Sequence, residues 1–321
     1  MYRLTWDIRI GSYRLGMVES VTVKTSVEAL TDTATIVLPG TVLNRALEIE
    51  DKVKVGDRVT IAFGYDGENR EEFKGYVQGM KTDGGSLTIE CEDDLWLMRK
   101  AVSDKAWNSV DVQTVLNYVL NQVGGDITLN CDYTFSYEKF TISNANGLDV
   151  LKKIQEEAGP NIYLADGVLH VHPKYTEIMG SAAYDFARNI DREGVDLEDK
   201  KADDVKVHVT VKGKNAAGKE VQVELGSTGG ESVVKDFGTS VSNEASLKAK
   251  AEEMLKEKGY EGYRGSFQGW LIPVCGAGYK VTLRDGDYEY KDGTYYVLAV
   301  ETSIGQNGGI RKIELGKKIS V

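Results

Sequence analysis

Histidine, cysteine and proline are scarce in this chain of 321 residues, numbering three, three and four, and positive charge falls short of negative. The cysteines, Cys91, Cys131 and Cys275, are odd in number and widely spaced, which leaves no disulfide framework. With no Cys-x-x-Cys pair, the usual sequence form of a structural zinc or redox site is missing as well. Three histidines give a Ser/His/Asp or Cys/His site few bases to draw on, and there is no Gly-x-Ser-x-Gly. No run approaches the ~18 apolar residues of a membrane span, so no stable membrane insertion is expected. The opening Met1-Tyr2-Arg3-Leu4-Thr5-Trp6-Asp7 has neither the basic start nor the apolar centre of a signal peptide, and points to synthesis in a reducing, aqueous compartment. Lys and Arg number 39 against 50 Asp and Glu, a net charge of −11. An even acidic excess repels phosphate and excludes a free nucleic-acid binder, whose affinity needs clustered Lys and Arg.

What is present is 35 glycines and a 41% hydrophobic content, ordinary globular material with many tight turns and room for two or three domains of roughly 100–200 residues. Residues 1–100 read as β structure. Val21-Thr22-Val23-Lys24 alternates, Thr33-Ala34-Thr35-Ile36-Val37-Leu38 stops at Pro39-Gly40, and Arg58–Phe63 follows the turn Val55-Gly56-Asp57. Phe73–Met80 and Ser86–Cys91 are joined by Asp83-Gly84-Gly85, a suitable hairpin turn, and five or six such strands predict a small closed or nearly closed barrel. In 101–202 the period changes. Val112, Val115, Leu116, Val119, Leu120 and Val123 make the apolar stripe of a helix capped by Ser109, and a second helix runs from Leu148 to Ala158. The hairpin of Asn161–Leu164 and Val168–His172 around Ala165-Asp166-Gly167 completes an α+β unit. The charged run Asp196-Leu197-Glu198-Asp199-Lys200-Lys201-Ala202-Asp203-Asp204 places a boundary there. From 203 to 321 strands return, interrupted by one helix that Ser242 caps.

The two β regions match block by block. Gly56-Asp57-Arg58-Val59-Thr60-Ile61 corresponds to Gly278-Tyr279-Lys280-Val281-Thr282-Leu283, Tyr76-Val77 to Tyr296-Val297, and Gly84-Gly85-Ser86-Leu87-Thr88-Ile89-Glu90 to Gly308-Gly309-Ile310-Arg311-Lys312-Ile313-Glu314. Gly56, Val59, Tyr76 and Gly85 are thereby set against Gly278, Val281, Tyr296 and Gly309. The expected architecture is mainly β with an α+β insert: two similar small antiparallel β-barrel domains, 1–100 and 203–321, flanking a middle α+β domain, 101–202. Two copies of one barrel per chain give a pseudo-sixfold ring when three chains associate about one axis.

Val18-Glu19-Ser20-Val21, Asp32–Pro39, Val55–Val59, Gly64-Tyr65 and Phe73–Val77 together resemble the first barrel of baseplate hub proteins from contractile-tailed phages, the late-control-D type. They are similar as well to the N-terminal hub part of type VI secretion spike proteins. Arg264-Gly265-Ser266, Pro273–Val281, Gly293–Val297 and Gly308-Gly309, with the Ala- and Lys-rich helix before them, look like the second barrel of that family. Glu301-Thr302 stands where many hubs have a His. The resemblance implies a homotrimer that joins a sixfold tail tube to a threefold spike. Its partners would be a tail tube protein, a spike protein and other baseplate proteins, with DNA only as transiting cargo. The chain ends at Val321 directly after the second barrel, so the spike and any lytic protein are expected as separate chains. Assembly would follow synthesis in the bacterial cytoplasm, into a phage tail baseplate or injection particle. Asp66-Gly67-Glu68-Asn69 and Asp285-Gly286-Asp287 are candidate docking loops.

No catalytic, cofactor or metal site is expected. Gly213-Lys214-Asn215-Ala216-Ala217-Gly218-Lys219-Glu220 comes within one residue of a phosphate-binding loop, but Glu220 replaces the magnesium-binding hydroxyl and strands flank it on both sides, so it reads as a hairpin tip. His170 and His172 share one face of a strand without a third ligand beside them in sequence. Glu90, Glu92, Asp93 and Asp94 keep open an alternative, a glycan-binding or cell-wall glycan-hydrolysing protein, against the reading of a solvated strand end. Trp6, Trp96, Trp107 and Trp270 read as core or subunit anchors rather than a sugar platform.

Overall fold

Alternating apolar residues put one face of each N-terminal strand into a common core. The computed structural model describes residues 2–39, 41–42, 45–46, 52–83, 85–201, 204–215, 217–289 and 292–320; of the positions named above, Met1, Gly40, Gly84, Ala202, Asp203, Ala216 and Val321 lie outside the described residues. Six strands form the first half: β1 (Leu4–Ile10), β2 (Ser20–Ser26), β3 (Thr33–Pro39), β4 (Arg58–Tyr65), β5 (Glu68–Asp83) and β6 (Ser86–Glu92). They pair antiparallel in the spatial order β1-β4-β5-β6-β3-β2, and Ile8, Val21, Val23, Ile36, Val59, Ile61, Phe63, Val77 and Ile89 pack together on one side.

The middle of the chain holds α1 (Val112–Val123), β7 (Thr128–Cys131), α2 (Gly147–Ala158), β8 (Asn161–Ala165) and β9 (Val168–His172). Asp111 rather than Ser109 caps α1, accepting the Thr114 N–H, and Asn146 and Asp149 form a capping box on α2. Next come β10 (Gly180–Asp185), β11 (Ile190–Lys200), β12 (Val207–Lys214), β13 (Glu220–Gly226), β14 (Glu231–Asp236) and α3 (Glu244–Lys258), capped by Asn243 rather than Ser242. The chain closes with β15 (Gly262–Trp270), β16 (Tyr279–Arg284), β17 (Gly293–Gly305) and β18 (Gly308–Ser320).

The C-terminal strands repeat the order of the first half, as β10-β16-β17-β18-β15-β11. One departure is direction: β10 runs parallel to β16, whereas β1 is antiparallel to β4. One expectation is corrected here. Neither half is a closed barrel among the described residues; with the short strand Tyr13–Arg14 beside β1, both belong to one 13-stranded sheet, because β2 uses its second edge on β17 of the other half instead of returning to β1. The expected boundary at 202/203 lies outside the described residues, between β11 and β12. Val207, Val209 and Val211 of β12, with Phe237, Val241, Leu247 and Ala251, share the core of α1 and α2, while β10 and β11 join the C-terminal strands. Within the charged run, Asp196–Lys200 is an edge strand paired with β15.

Candidate assembly interface

At the joint between the halves, β2 and β17 pair antiparallel, with Lys24 opposite Glu301, Thr25 opposite Val300 and Ser26 opposite Ala299. Lys24 Nζ and Glu301 form an exposed ion pair at 3.0 Å. Beneath this seam lies a buried pair that alternation and motif reading do not single out. Arg311 of β18 is 1% exposed. Its guanidinium donates to both carboxylate oxygens of Glu72 on β5, at 3.0 and 2.8 Å, to the Cys275 carbonyl at 2.8 Å and to Thr302 Oγ1 at 2.9 Å. Arg311 sits in phase with the inward residues Ile313 and Leu315, at the place the repeat gives to Leu87. A charge on the inward phase of a strand is the sequence signal that marks it.

Three of the four residue pairs set against each other in the repeat fall at like places in the two halves. The Gly56 N–H donates to the Val77 carbonyl at 2.8 Å and the Gly278 N–H to the Val297 carbonyl at 3.0 Å. Tyr76 lies opposite Arg58 and Tyr296 opposite Lys280; Val59 and Val281 are both fully buried. Each long strand has a register shift one residue on, between Val77 and Gly79 and between Val297 and Ala299. Gly85 sits in its turn, whereas Gly309 lies within the ladder opposite Ile304 because the second hairpin is longer.

The edges equivalent to the two joined here stay uncovered. β5 is flanked by β4 up to Tyr76 and by β6 beyond it, so the outer edge of Gly79, Met80 and Lys81 has no strand beside it among the described residues. The corresponding edge of β17 is the one covered by β2. β11 pairs only with β15, and its outer edge is likewise uncovered by any described strand. Exposed strand edges are templates for pairing with another chain.

The two candidate docking loops join equivalent strands, β4 to β5 and β16 to β17. Asp66 and Gly67, both at positive φ, make a two-residue turn between Tyr65 and Glu68. Asp66 exchanges two hydrogen bonds with the Arg3 backbone, and Thr5 Oγ1 ties the turn to Asn69 at 2.7 Å. Asp285 Oδ1 accepts the N–H groups of Asp287 and Tyr288, which folds the second loop around Gly286. A cleft of about 590 Å³ runs beside the first loop, lined by Tyr65, Arg70, Glu72, Ile272, Pro273 and Tyr279 among others.

Each acid of the cluster Glu90 to Asp94 has a structural partner. Glu92, buried, is held bidentate by Arg99 at 2.8 and 3.0 Å, Asp94 pairs with Arg58, and Glu90 with Lys81. Asp93 caps a 3₁₀ turn through the Leu95 N–H at 3.0 Å, and its other oxygen accepts the Asp32 N–H at 2.8 Å. Trp96 lies on that turn, beneath the Arg99 guanidinium, and Trp107 packs edge-on against Tyr118, while Trp270 is half exposed. His170 and His172 approach to 3.4 Å, Tyr163 stacks on His170, and Glu177 reaches His172 at 3.4 Å. No group of three or more His, Cys, Asp or Glu side chains among the described residues is placed to hold a metal ion. The loop between Lys214 and Glu220 is a hairpin tip closed by Asn215 Oδ1, which accepts the Ala217 and Lys219 N–H groups.

Burial pushes Asp32 up to about 7 and Asp93 to about 8, the Asp32 charge adding to the rise at Asp93. A carboxyl whose folded pKa exceeds its unfolded value of about 3.9 stabilises the fold fully below that value and loses the contribution as pH rises through 7 to 8. The expected result is a lower Tm at pH 8.5 than at pH 5.5, with the difference reduced in Asp32→Asn, which keeps an oxygen for the Ser26 N–H. Calorimetry at matched ionic strength checks this, and an unchanged difference in the variant refutes it.

No family model matches the chain, and no curated protein matches it in sequence. Among the described residues no helix is long and apolar enough to cross a membrane. Solved structures with the same fold do exist. A tail protein from Neisseria meningitidis MC58 aligns with a TM-score of 0.68 at 15% identity over 98% of this chain and 97% of its own. The 43 kDa tail protein of prophage MuSo2 from Shewanella oneidensis gives 0.65 at 13% identity, over 97% of both chains. An E. coli component of the type VI secretion system, described as similar to the T4 bacteriophage tail proteins gp27 and gp5, gives 0.61 at 12% identity over 98% of this chain and 77% of its own. The chain therefore has the fold of phage tail and type VI secretion proteins.

Proposed function

We propose that the protein is the structural hub of a phage tail baseplate or related contractile injection system, a homotrimer that joins a sixfold tail tube to a threefold spike. The observation that carries this is the repetition of one six-strand order in both halves, joined edge to edge through β2 and β17. Three such chains present six similar units around one axis, and the fold shared with tail proteins supports the reading. The loops at Asp66–Asn69 and Asp285–Asp287, between equivalent strands, then recur as six docking points on one rim for separate tube, spike and baseplate chains. No catalysis is assigned: the acids that suggested glycan hydrolysis are occupied by Arg99, Arg58, Lys81 and backbone N–H groups.

The protein would be made in the bacterial cytoplasm and assembled into the particle. Three copies at −11 each place −33 around the axis, so DNA passes as cargo without being retained. Sedimentation tests the reading. A species at three times 35.3 kDa, about 106 kDa, is expected, and a chain that stays monomeric at high concentration, alone and with a spike protein, overturns it. The same sample is expected to run through a DNA column at moderate salt, and retention contradicts the assigned role of the charge.

A further inference from the structure

The repeat fixes a residue correspondence across the sheet. Val77 pairs with Cys91 and Gly79 with Glu90, while Val297 pairs with Leu315 and Ala299 with Glu314, so Gly79, Met80 and Lys81 correspond to Ala299, Val300 and Glu301. Carried outward by the same ladder, Val23 opposite Ala34 corresponds to Leu197 opposite Gly265, which sets Lys24, Thr25 and Ser26 against Glu198, Asp199 and Lys200. Within the chain Lys24 faces Glu301. Transposed to the uncovered edges of β5 and β11, the equivalents of those joined within the chain, the same geometry sets Glu198 against Lys81, the same pair with its charges exchanged.

We propose that the outer edges of β5 and β11 pair with each other between neighbouring copies of this chain, antiparallel, with Lys81 opposite Glu198, Met80 opposite Asp199 and Gly79 opposite Lys200. The inference rests on the ring read above and names its seam. Charge complementarity selects a second copy as the occupant: a residue of the opposite sign stands at both transposed positions, where two like charges facing each other would repel. The present side-chain partners do not compete for the strand edge. Lys81 reaches Glu90 on its own sheet face and Glu198 reaches Lys200 two residues along its own strand, so both backbones remain open outward. The seam is heterologous, each copy giving β5 on one side and β11 on the other, which is the arrangement that closes a ring.

Charge reversal tests the register. Lys81→Glu and Glu198→Lys, each alone, are expected to raise the concentration at which the complex half-dissociates at least about tenfold at low salt, since every seam gains a like-charge contact. The double variant restores the pair in reverse and returns within about threefold of the parent. A second measurement uses Lys81→Cys combined with Glu198→Cys, which on oxidation yields covalent oligomers on a denaturing gel, whereas Lys81→Cys with Asp196→Cys does not. Native Cys91 and Cys275 are buried, with thiols pushed up to about 12, and do not compete; the half-buried Cys131 is replaced by Ser in both variants. If the parent is a ring but the single reversals leave it unchanged, or the double is no better than the worse single, this seam is overturned while the ring stands. A parent that never associates overturns both.

Discussion

Arg311→Ala is expected to destabilise the protein by about 3–5 kcal/mol, the scale for removing one partner of a buried ion pair. The Glu72 carboxylate accepts two of the hydrogen bonds that Arg311 donates and is left without its counter-charge, while the carbonyls of Leu271 and Cys275 lose their donor. The guanidinium also ties together the Cys275 carbonyl and Thr302 Oγ1, so β17, β18 and the segment after β15 lose a common anchor along with the bridge to β5. Lys24→Ala gives the contrast: its exposed pair with Glu301 contributes at most about 1 kcal/mol, although it spans the same joint. Urea unfolding at pH 7 checks both. Replacing Glu72 and Arg311 together by Leu is expected to cost less than Arg311→Ala, because no charge is left buried alone. A loss below about 1 kcal/mol for Arg311→Ala refutes the role of this pair at the joint.

The difference between these pairs shows what the sequence can reveal. Strands and the repeat are legible because alternation reports burial one residue at a time: Val59 and Ile61, Val281 and Leu283, all fall inward as their period requires. Which core a strand joins is a matter of long-range pairing, and alternation is silent on it. Val207, Val209 and Val211 alternate as cleanly as any strand of the sheet, yet pack against α3 and the middle helices. Asp196–Lys200 has a single apolar residue, Leu197, among four charged ones because it is an edge, and composition alone cannot separate such an edge strand from a linker. Closure fails for a related reason. Whether β2 turns to β1 or to β17 is decided by a partner some 275 residues away, which local pattern does not record. The Arg311–Glu72 pair is partly legible, since aligning the repeats puts Arg311 on Leu87; its partner, 239 residues distant, is not.

Gly265→Ala is expected to detach β11 from the sheet and with it the proposed seam. Gly265 has φ +111, a conformation that strains any residue with a side chain, at a cost of about 1–3 kcal/mol. A Cβ there would lie 2.1 Å from the Asp196 carbonyl oxygen, a backbone atom held by the ladder, so a rotamer change cannot relieve the contact. Relief has to come from the backbone. Leu197 is paired directly opposite Gly265, and among the described strands β11 has only β15 beside it, so the least costly response is local opening of Asp196–Lys200 rather than loss of the core. Hydrogen exchange at the amides of residues 196–200 is therefore expected to accelerate while the amides of β17 stay protected by β2 and β18. The oligomer falls to single chains under conditions where the parent associates. Gly286→Ala is the control, because its added Cβ meets nothing within 4 Å and its φ is not in the strained range; it is expected to change stability by less than about 0.5 kcal/mol. A Gly265→Ala protein that keeps both its slow exchange at 196–200 and its oligomeric mass would show that this edge is not what the copies share.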